Sequence, residues 1–581
     1  MDFDVVVLGT GLSESIAAAA LSKAGFKVAH VDSNQYYGGE EASLTLDELA
    51  EWADARSAKP DDKPPSDYLA NQRRRYTSIS RSSTIPPQSR QYAVSLAPSI
   101  VPSVGPHIDS LIASGVSRYG SFKLLEKLAV YDRPGYVQSV PGSKEDVFKS
   151  KALSLVEKRR LMRFLLFAAG EFEGKKELEG KEQMPFLQFL REGFTLADKP
   201  ATAIAYALAF CTSPNDPTLP ALQRIRQYLR SAGRYGASPF LVGHYGGLGE
   251  TAQGFCRTAA VKGGTYILGR DILAVQVPCS AEDNAAHGEK ALAAPTEEPR
   301  FAVELDEFEE PLAAKVILSS PDYASSASPR GAPSAPSSSI TSSSHSVARC
   351  IAIIDKPLVF TPSEAPDTSS EMEDPAEDAE GESAAKPATP NHEVDTAVLV
   401  FAPGSLENGS PTEAAHVLVT GEGSLSAPRG RWILNISLPL PAAATSRSSE
   451  ELLRPYLDAT LTLTVSPSGS PEIQPAALLF SVFYTHHPVP APPASDSGVI
   501  VTPSHTLLLP VIADEATEQA EAMFWKAVER LGRKRPPSDE TASRKDTEGE
   551  DSSEKEPEES EFIDSFWPPL DAAEVETSED W

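Results

Sequence analysis

The first apolar stretch of the chain is short and unbroken. Asp4-Val5-Val6-Val7-Leu8 has the composition of a strand buried on both faces. Gly9-Thr10-Gly11 predicts a tight turn, Ile16 through Leu21 an alanine-rich helix, and Val28-Ala29-His30-Val31 a second strand ending on Asp32. Strand, glycine turn, helix and strand, with an acid about twenty residues beyond the glycines, is the layout of a dinucleotide-binding βαβ unit. Leu46, Leu49 and Trp52 predict an amphipathic helix.

From about 105 to 230 the apolar spacing becomes helical, at Ile108–Ile112, Ser154–Phe172, Phe186–Leu190, Ala201–Phe210 and Leu222–Leu229. Ser154-Leu155-Val156-Glu157 has the form of a capping box. After residue 231, glycine-punctuated α/β character returns. β-rich runs follow at Phe301–Leu305, Lys315–Leu318, Val347–Ile354, Thr396–Phe401, His416–Thr420, Trp432–Leu438 and Leu478–Tyr484, then one late helix over 515–532. The pattern predicts a discontinuous α/β domain, 1–104 plus 231–535, with a helical domain inserted at 105–230. Segments near 55–90, 280–298, 323–346 and 361–394 are too polar or too rich in Ser, Pro, Ala and Glu to bury a core, and disordered insertions are expected there. A disordered acidic tail is expected over 536–581, interrupted by a candidate docking patch at Phe562-Ile563-Asp564-Ser565-Phe566-Trp567.

Charge sharpens this division. The 581 residues carry a formal −30, but residues 539–581 hold 17 acids against 3 bases, and residues 364–386 hold 9 against one. The remainder is only mildly acidic, and no basic stripe suits nucleic acid. Cys211, Cys256, Cys279 and Cys350 are widely spaced, which argues against a disulfide framework or a zinc site and favours a reducing compartment. With no membrane-length apolar run and no signal-peptide pattern, a cytoplasmic location is expected. The ten histidines form no metal or catalytic pattern, and no Ser/His/Asp set or carboxylate pair points to hydrolysis.

The dinucleotide fingerprint is contradicted at its third position. Gly9 and Gly11 are in place, and Asp32 stands where a ribose-binding acid belongs, but Glu14 occupies the last glycine position of GxGxxG. A diphosphate needs bare amides and the positive end of a helix dipole there, and a carboxylate repels it. Glu40-Glu41 after Gly38-Gly39 adds further negative charge near the same turn. The fold signal is thus present while no cofactor is expected, and no metal.

The runs Gly9-Thr10-Gly11-Leu12-Ser13-Glu14-Ser15, His30-Val31-Asp32 and Tyr36-Tyr37-Gly38-Gly39 resemble the superfamily of Rab GDP-dissociation inhibitors and Rab escort proteins. The likeness extends through Gly233-Arg234-Tyr235-Gly236-Ala237-Ser238-Pro239-Phe240, Gly249-Glu250, Gly254-Phe255-Cys256-Arg257 and Gly263-Gly264-Thr265-Tyr266, with a third block at Val147-Phe148 and Val156–Arg160. It covers the folded parts to about residue 275. The resemblance implies the fold of FAD-dependent oxidoreductases put to non-catalytic use: binding GDP-bound Rab GTPases and their geranylgeranyl groups. It assigns Rab contact to Tyr37, Glu250, Arg257 and Thr265, and to Ile267 where inhibitors have methionine. Taken singly, Tyr37 also reads as a residue packed over its Gly-Gly turn, and Arg257 as a solvated helix charge.

Within the superfamily, escort proteins present unprenylated Rab to the αβ Rab geranylgeranyltransferase and then deliver the lipidated product to membranes. Recycling inhibitors do not dock on the transferase. The resemblance places transferase contact at Phe148 and Arg159, and an aromatic at position 148 favours the escort branch; the alternative for Phe148 is a core plug. Leu161, Phe164, Leu165 and Phe167 either line a lipid groove or, individually the plainer expectation, form the helical core. The escort reading therefore leads, with the recycling inhibitor second and a flavin oxidoreductase third. Membrane contact is expected to be transient.

Overall fold

The computed structural model describes residues 1–58, 65–140, 153–276, 300–324, 346–363, 393–441, 446–465, 474–489, 498–506, 508–535 and 562–570. The expected strand β1 (Asp2–Leu8), helix α1 (Leu12–Lys23) and strand β2 (Val28–Asp32) form in that order. β2 pairs parallel with β1, Val5 opposite Val28 and Leu8 opposite Val31. The other edge of β1 is covered by Leu312–Ser319, also parallel. These strands belong to a seven-stranded sheet that ends on one side in the edge strand Thr265–Leu268 and turns antiparallel at 272–276 and 301–305.

α1 is buried along nearly its whole length, with Ala17 through Ala20 fully enclosed. Small side chains are required because helices pack on it closely. They are α4 (Leu248–Val261) and α5 (Ile512–Arg530); α2 (Pro106–Ser114) packs in turn on α5, and α3 (Leu155–Ala169) belongs to the helical region. An eight-stranded sheet forms the second α/β layer. Its strands run in the order 76–81, 478–486, 347–354, 432–439, 415–420, 396–401, 127–133 and 136–139. Its inner positions, such as Ile351, Ile353 and Val482, pack with Trp52, Tyr76 and Tyr484.

The helical region has its own aromatic core. Phe164 meets Phe194 edge-on at 5.2 Å, and Phe167, Phe186 and Phe189 surround them. Leu161, Phe164, Leu165 and Phe167 of α3 are all buried in this core, so the plainer of their two expected roles holds. Ser154 and Glu157 make both bonds of the capping box: the Glu157 amide donates to Ser154 Oγ at 3.3 Å, and the Ser154 amide donates to Glu157 Oε2 at 2.9 Å.

Three boundaries differ from the sequence expectation. Residues 67–75 form a helix and 76–81 a strand of the large sheet, where a flexible insertion over 55–90 was expected. The misleading feature is the basic run. Arg75 is buried against Glu40 and Asp322, and Arg56 donates to Gln72 at 2.9 and 2.6 Å, so these charges are internal partners rather than solvated ones. Second, the inserted domain is not helical from 105. α2 packs against α5, and residues 122–124, 127–133 and 136–139 are strands. Strand 127–133 pairs parallel with 396–401, a partner about 270 residues away that local periodicity does not reveal. Third, the docking patch expected at 562–567 of the tail does pack on the body of the protein, but the docked segment runs on to Leu570, which reaches Gly115. Residues 280–298 and most of 323–346 and 361–394 lie outside the described residues.

Arg75 ties the 67–75 helix to both α/β layers. Against the cost of burial, its charge and His486 hold the Glu40 carboxyl well below the usual carboxylate range. Removing one partner strands buried charge, so Arg75→Ala is expected to destabilise the protein by about 3–5 kcal/mol, measured as a lowered urea midpoint with unchanged slope.

Candidate functional site

Two places concentrate polar chemistry: the glycine turn at the start of α1, and the surface formed by α4 with its neighbours. At the first, Gly9 adopts φ 98°, and a side chain there would meet Ser320 at 2.8 Å. Asp32 is fully engaged. Its Oδ2 accepts from the Thr10 amide at 2.8 Å and Thr10 Oγ1 at 2.6 Å. Its Oδ1 accepts from the Asn34 amide at 2.8 Å, Asn34 Nδ2 at 2.9 Å and the Tyr323 hydroxyl at 3.1 Å.

The free amide of Leu12, at the N-terminus of α1, donates to Glu41 Oε2 at 3.0 Å. That is the position a cofactor diphosphate takes in dinucleotide folds. Glu14 lies against Gly11 and accepts from Thr502 Oγ1 at 2.6 Å. Gly11, Glu14, Asp32, Glu40, Glu41, Asp322 and His505 line a cavity of only about 30 Å³ between the glycine turn and residues 502–505. Arg75 is the buried cation beside it, already held by Glu40 and Asp322. These residues do not fit a flavin dinucleotide: the carboxyl side chains of Glu14 and Glu41 fill the place of its phosphates, Glu41 taking the helix amide, and the ribose-binding acid has no free oxygen.

Burial raises the Glu14 carboxyl to about 7. Burial, with the Glu40 charge beside it, raises Glu41 to about 8. Sequence reading found Glu14 at once. The role of Glu41 as the helix-terminal acceptor depended on the fold of the 38–41 turn.

At the second place, Gly38 adopts φ 100° and packs so closely that a side chain would meet the Ala42 backbone at 2.8 Å and Gly249 at 3.3 Å. This contact sets the turn bearing Tyr37 against the first turn of α4, which bears Glu250. Along α4, Leu248, Thr251, Ala252, Phe255, Cys256 and Ala259 are buried, whereas Gln253 and Arg257 are exposed and Glu250 is half-buried. Glu250 and Arg257 are two turns apart on one face, separated by about 10 Å along the axis. Partial burial raises the Glu250 carboxyl above its ordinary value. The Arg257 guanidinium rests 4.4 Å over the ring of Tyr119, a half-exposed residue that sequence reading did not single out.

The edge strand β3 (Thr265–Leu268) completes this surface. Among the described residues it pairs only with β2. Thr265 is exposed at its start, and Ile267 is half-buried toward Ile272 and Val31. Tyr266 points to the other side, 5.1 Å from the His30 ring and 5.9 Å edge-on from Tyr37. Tyr37, Glu250 and Arg257 thus share one region, and the edge strand carries Thr265 and Ile267 beside it. Tyr37 is half-buried, and its ring meets that of Tyr266 across the sheet edge.

Phe148 lies outside the described residues. Arg159 is exposed on α3, and the same helix leaves Leu155, Val156 and Leu166 uncovered at 76, 56 and 55% of their surfaces. Leu155, Arg159, Arg163 and Leu166 follow helical spacing along one stripe, an apolar and basic face that the sequence pattern did not single out.

A family profile described as GDP dissociation inhibitor matches residues 1–296. The chain is 30% identical over 445 residues to "Rab proteins geranylgeranyltransferase component A" of Saccharomyces cerevisiae, covering 76% of this chain and 62% of that protein. It is 34% identical over 309 residues to the protein of the same name from Candida albicans, covering 51% and 46%, and 33% identical over 310 residues to "Rab escort protein 1" of Arabidopsis thaliana, covering 47% and 55%. The chain thus spans roughly half to three-fifths of the length of these relatives. In fold it is similar to the crystal structure of a Rab GDI from Plasmodium falciparum, at TM-score 0.57 and 19% identity, covering 91% of this chain and 98% of that one. An oxidoreductase from Methanosarcina mazei is similar at TM-score 0.52 and 13% identity, covering 90% and 100%. Both likenesses concern the fold alone.

The filled cofactor seat has a pH signature. A carboxyl whose folded pKa is raised keeps its proton on folding, so stability falls as pH rises from the unfolded value of about 4.5 through the folded one. His30, His107, His416 and His486, lowered by burial to about 4, act oppositely; their effect is half complete at the unfolded value of about 6.5 and largely spent by about pH 7.5. Between about pH 7.5 and 8.5 the wild-type protein is therefore expected to lose stability. Glu41→Gln, which keeps an acceptor for the Leu12 amide, should flatten that slope by up to about 1.4 kcal/mol per pH unit, read from urea melts at several pH values.

Proposed function

The chain belongs to the GDP dissociation inhibitor family, and on that premise we propose that it is a Rab escort protein, a non-catalytic accessory component of Rab geranylgeranyltransferase. In this reading it binds unprenylated, GDP-bound Rab through Tyr37, Glu250, Arg257, Thr265 and Ile267. It presents that Rab to the αβ transferase through Phe148 and Arg159, then keeps the geranylgeranylated product in solution until it reaches a membrane. It works in the cytoplasm with only transient membrane contact.

The observation that carries the proposal is the pairing of a closed cofactor seat with an open face next to it. Glu41 and Glu14 occupy the seat at which a flavoenzyme would act. The turn that brings Glu41 there also sets Tyr37 beside the first turn of α4, whose outer stripe carries half-buried Glu250 and exposed Arg257. A partner selective for the GDP state needs a preorganised surface with a few aromatic and charged anchors, because Rab switch segments change order with the nucleotide. Arg257, held over Tyr119, is such an anchor. The relatives named as component A of the transferase support the escort branch, as does the uncovered apolar and basic stripe on α3, which suits a small docking interface.

A recycling inhibitor is the second reading, favoured by the GDP dissociation inhibitor profile that matches residues 1–296. One assay separates the two. Purified αβ transferase with GDP-bound Rab and geranylgeranyl diphosphate should modify Rab only when this protein is added; extraction of prenylated Rab from membranes without any stimulation of the transferase would overturn the escort reading. Glu250→Ala or Arg257→Ala should weaken GDP-bound Rab binding by about tenfold or more in titration calorimetry. Phe148→Ala should leave that affinity intact and abolish modification.

A further inference from the structure

The chain leaves α5 at Arg530 and comes back to it at Phe562. Phe562 bridges Lys534 in parallel, and the Ile563 amide donates to the Lys534 carbonyl at 3.0 Å. The Phe566 ring meets Phe524 of α5 edge-on at 5.3 Å. Trp567 lies nearly parallel to Phe255 of α4 at 5.8 Å and donates its Nε1 to Ser110 Oγ of α2 at 2.9 Å. Leu570 reaches Gly115, the left-handed residue that ends α2, where a side chain would meet it at 3.5 Å. The Ser565 hydroxyl, donating to the Trp567 carbonyl at 2.8 Å, closes the turn, and Asp564 faces solvent. Nine residues thus bridge three helices.

The elements they bridge matter for the candidate surface. Phe255 lies on α4 between Glu250 and Arg257. Gly115 starts the turn at 116–118 that leads to Tyr119, the ring beneath Arg257. That turn abuts α4 tightly: a side chain at Gly254 would meet Val116 Cγ1 at 2.8 Å. The segment therefore presses on both sides of the junction that holds Arg257. Its two aromatic rings supply the burial, and the indole N–H, matched to one hydroxyl, supplies the register.

We propose that the groove between α2, α4 and α5 is a peptide-docking site whose occupant is this chain's own Phe562–Leu570, and that the docked segment sets the position of Arg257 for GTPase binding. Phe566 and Trp567 are the anchors, Ser110 is the specificity contact, and all of them act on the surface as positioning residues through Phe255 and the 115–119 turn. The docking stands on the contacts alone, whereas its effect on GTPase binding rests on the proposed function.

The test uses the full chain carrying Phe566→Ala and Trp567→Ala, and a fluorescent peptide with the sequence of residues 560–571. By anisotropy the peptide should bind the variant and bind the wild-type chain at least about tenfold more weakly, since its groove is filled; a peptide with Trp567→Ala should not bind. Affinity for GDP-bound Rab should fall about fivefold or more in the variant and recover with saturating peptide, a rescue that loss of a merely structural tail would not show. Equal peptide binding by both chains, or none by either, would overturn the docking. Peptide binding with unchanged Rab affinity would overturn the coupling. Failure of the wild-type chain to bind Rab would instead overturn the proposed function, and the peptide arm would still decide the docking. If the double variant does not fold, Trp567→Ala alone weakens the resident segment and leaves the groove intact: it should raise binding of the native peptide above wild type, and no change would overturn the docking.

Discussion

Free amides at the buried N-terminus of a helix must find acceptors, and at the start of α1 the protein supplies them from its own side chains. Flavin and nicotinamide folds leave this position for a diphosphate. Here the Leu12 amide is satisfied by Glu41, and Glu14 beside it is held by Thr502. Burial disfavours the charged form of both carboxyls, like charge beside them adds to the effect, and both pKa values are raised, Glu14 to about 7 and Glu41 to about 8. With the acceptor built in, the first α/β layer is complete without a ligand.

The same turn connects the closed seat to the outer surface. Residues 38–41 run from a glycine contact with α4 to the carboxylate on α1, so the geometry that seals the interior also fixes Tyr37 against the start of α4. Arg75, from a segment that looks solvated in the sequence, locks the turn from behind through Glu40 and reaches across to Asp322. A buried ion network is weak evidence for net stability, because desolvation offsets much of the attraction. Its consequence here is positional: few backbone arrangements satisfy Glu40, Asp322 and His486 at once.

The aromatic segment at 562–570 belongs to the same logic of internal occupants. A helical corner that would otherwise expose Phe255 and Phe524 is covered by a distant stretch of the chain. As at the cofactor seat, the protein fills from within a place where a ligand or partner would fit.

Much of the core was legible beforehand because its signals are local. The Val5–Leu8 run, the Gly9 turn, the alanine face of α1 and the capping box at Ser154 each depend on neighbours within a few residues, and each appears where expected. Glu14 was legible as a conflict with the motif around it. Other features were not, because their partners are remote: strand 127–133 finds its mate near residue 397, Arg75 its counter-charges at 40 and 322, and Trp567 its hydroxyl at Ser110. The sequence by itself determined the βαβ start, the family likeness and the incompatibility of Glu14 with a diphosphate, since short-range sterics and charge decide those. Only the tertiary structure decided that Glu41 takes the helix amide, that Tyr119 supports Arg257 and that the aromatic patch of the tail docks on Phe255, Phe524 and Ser110, since each needs residues brought together by long-range packing that no local pattern encodes.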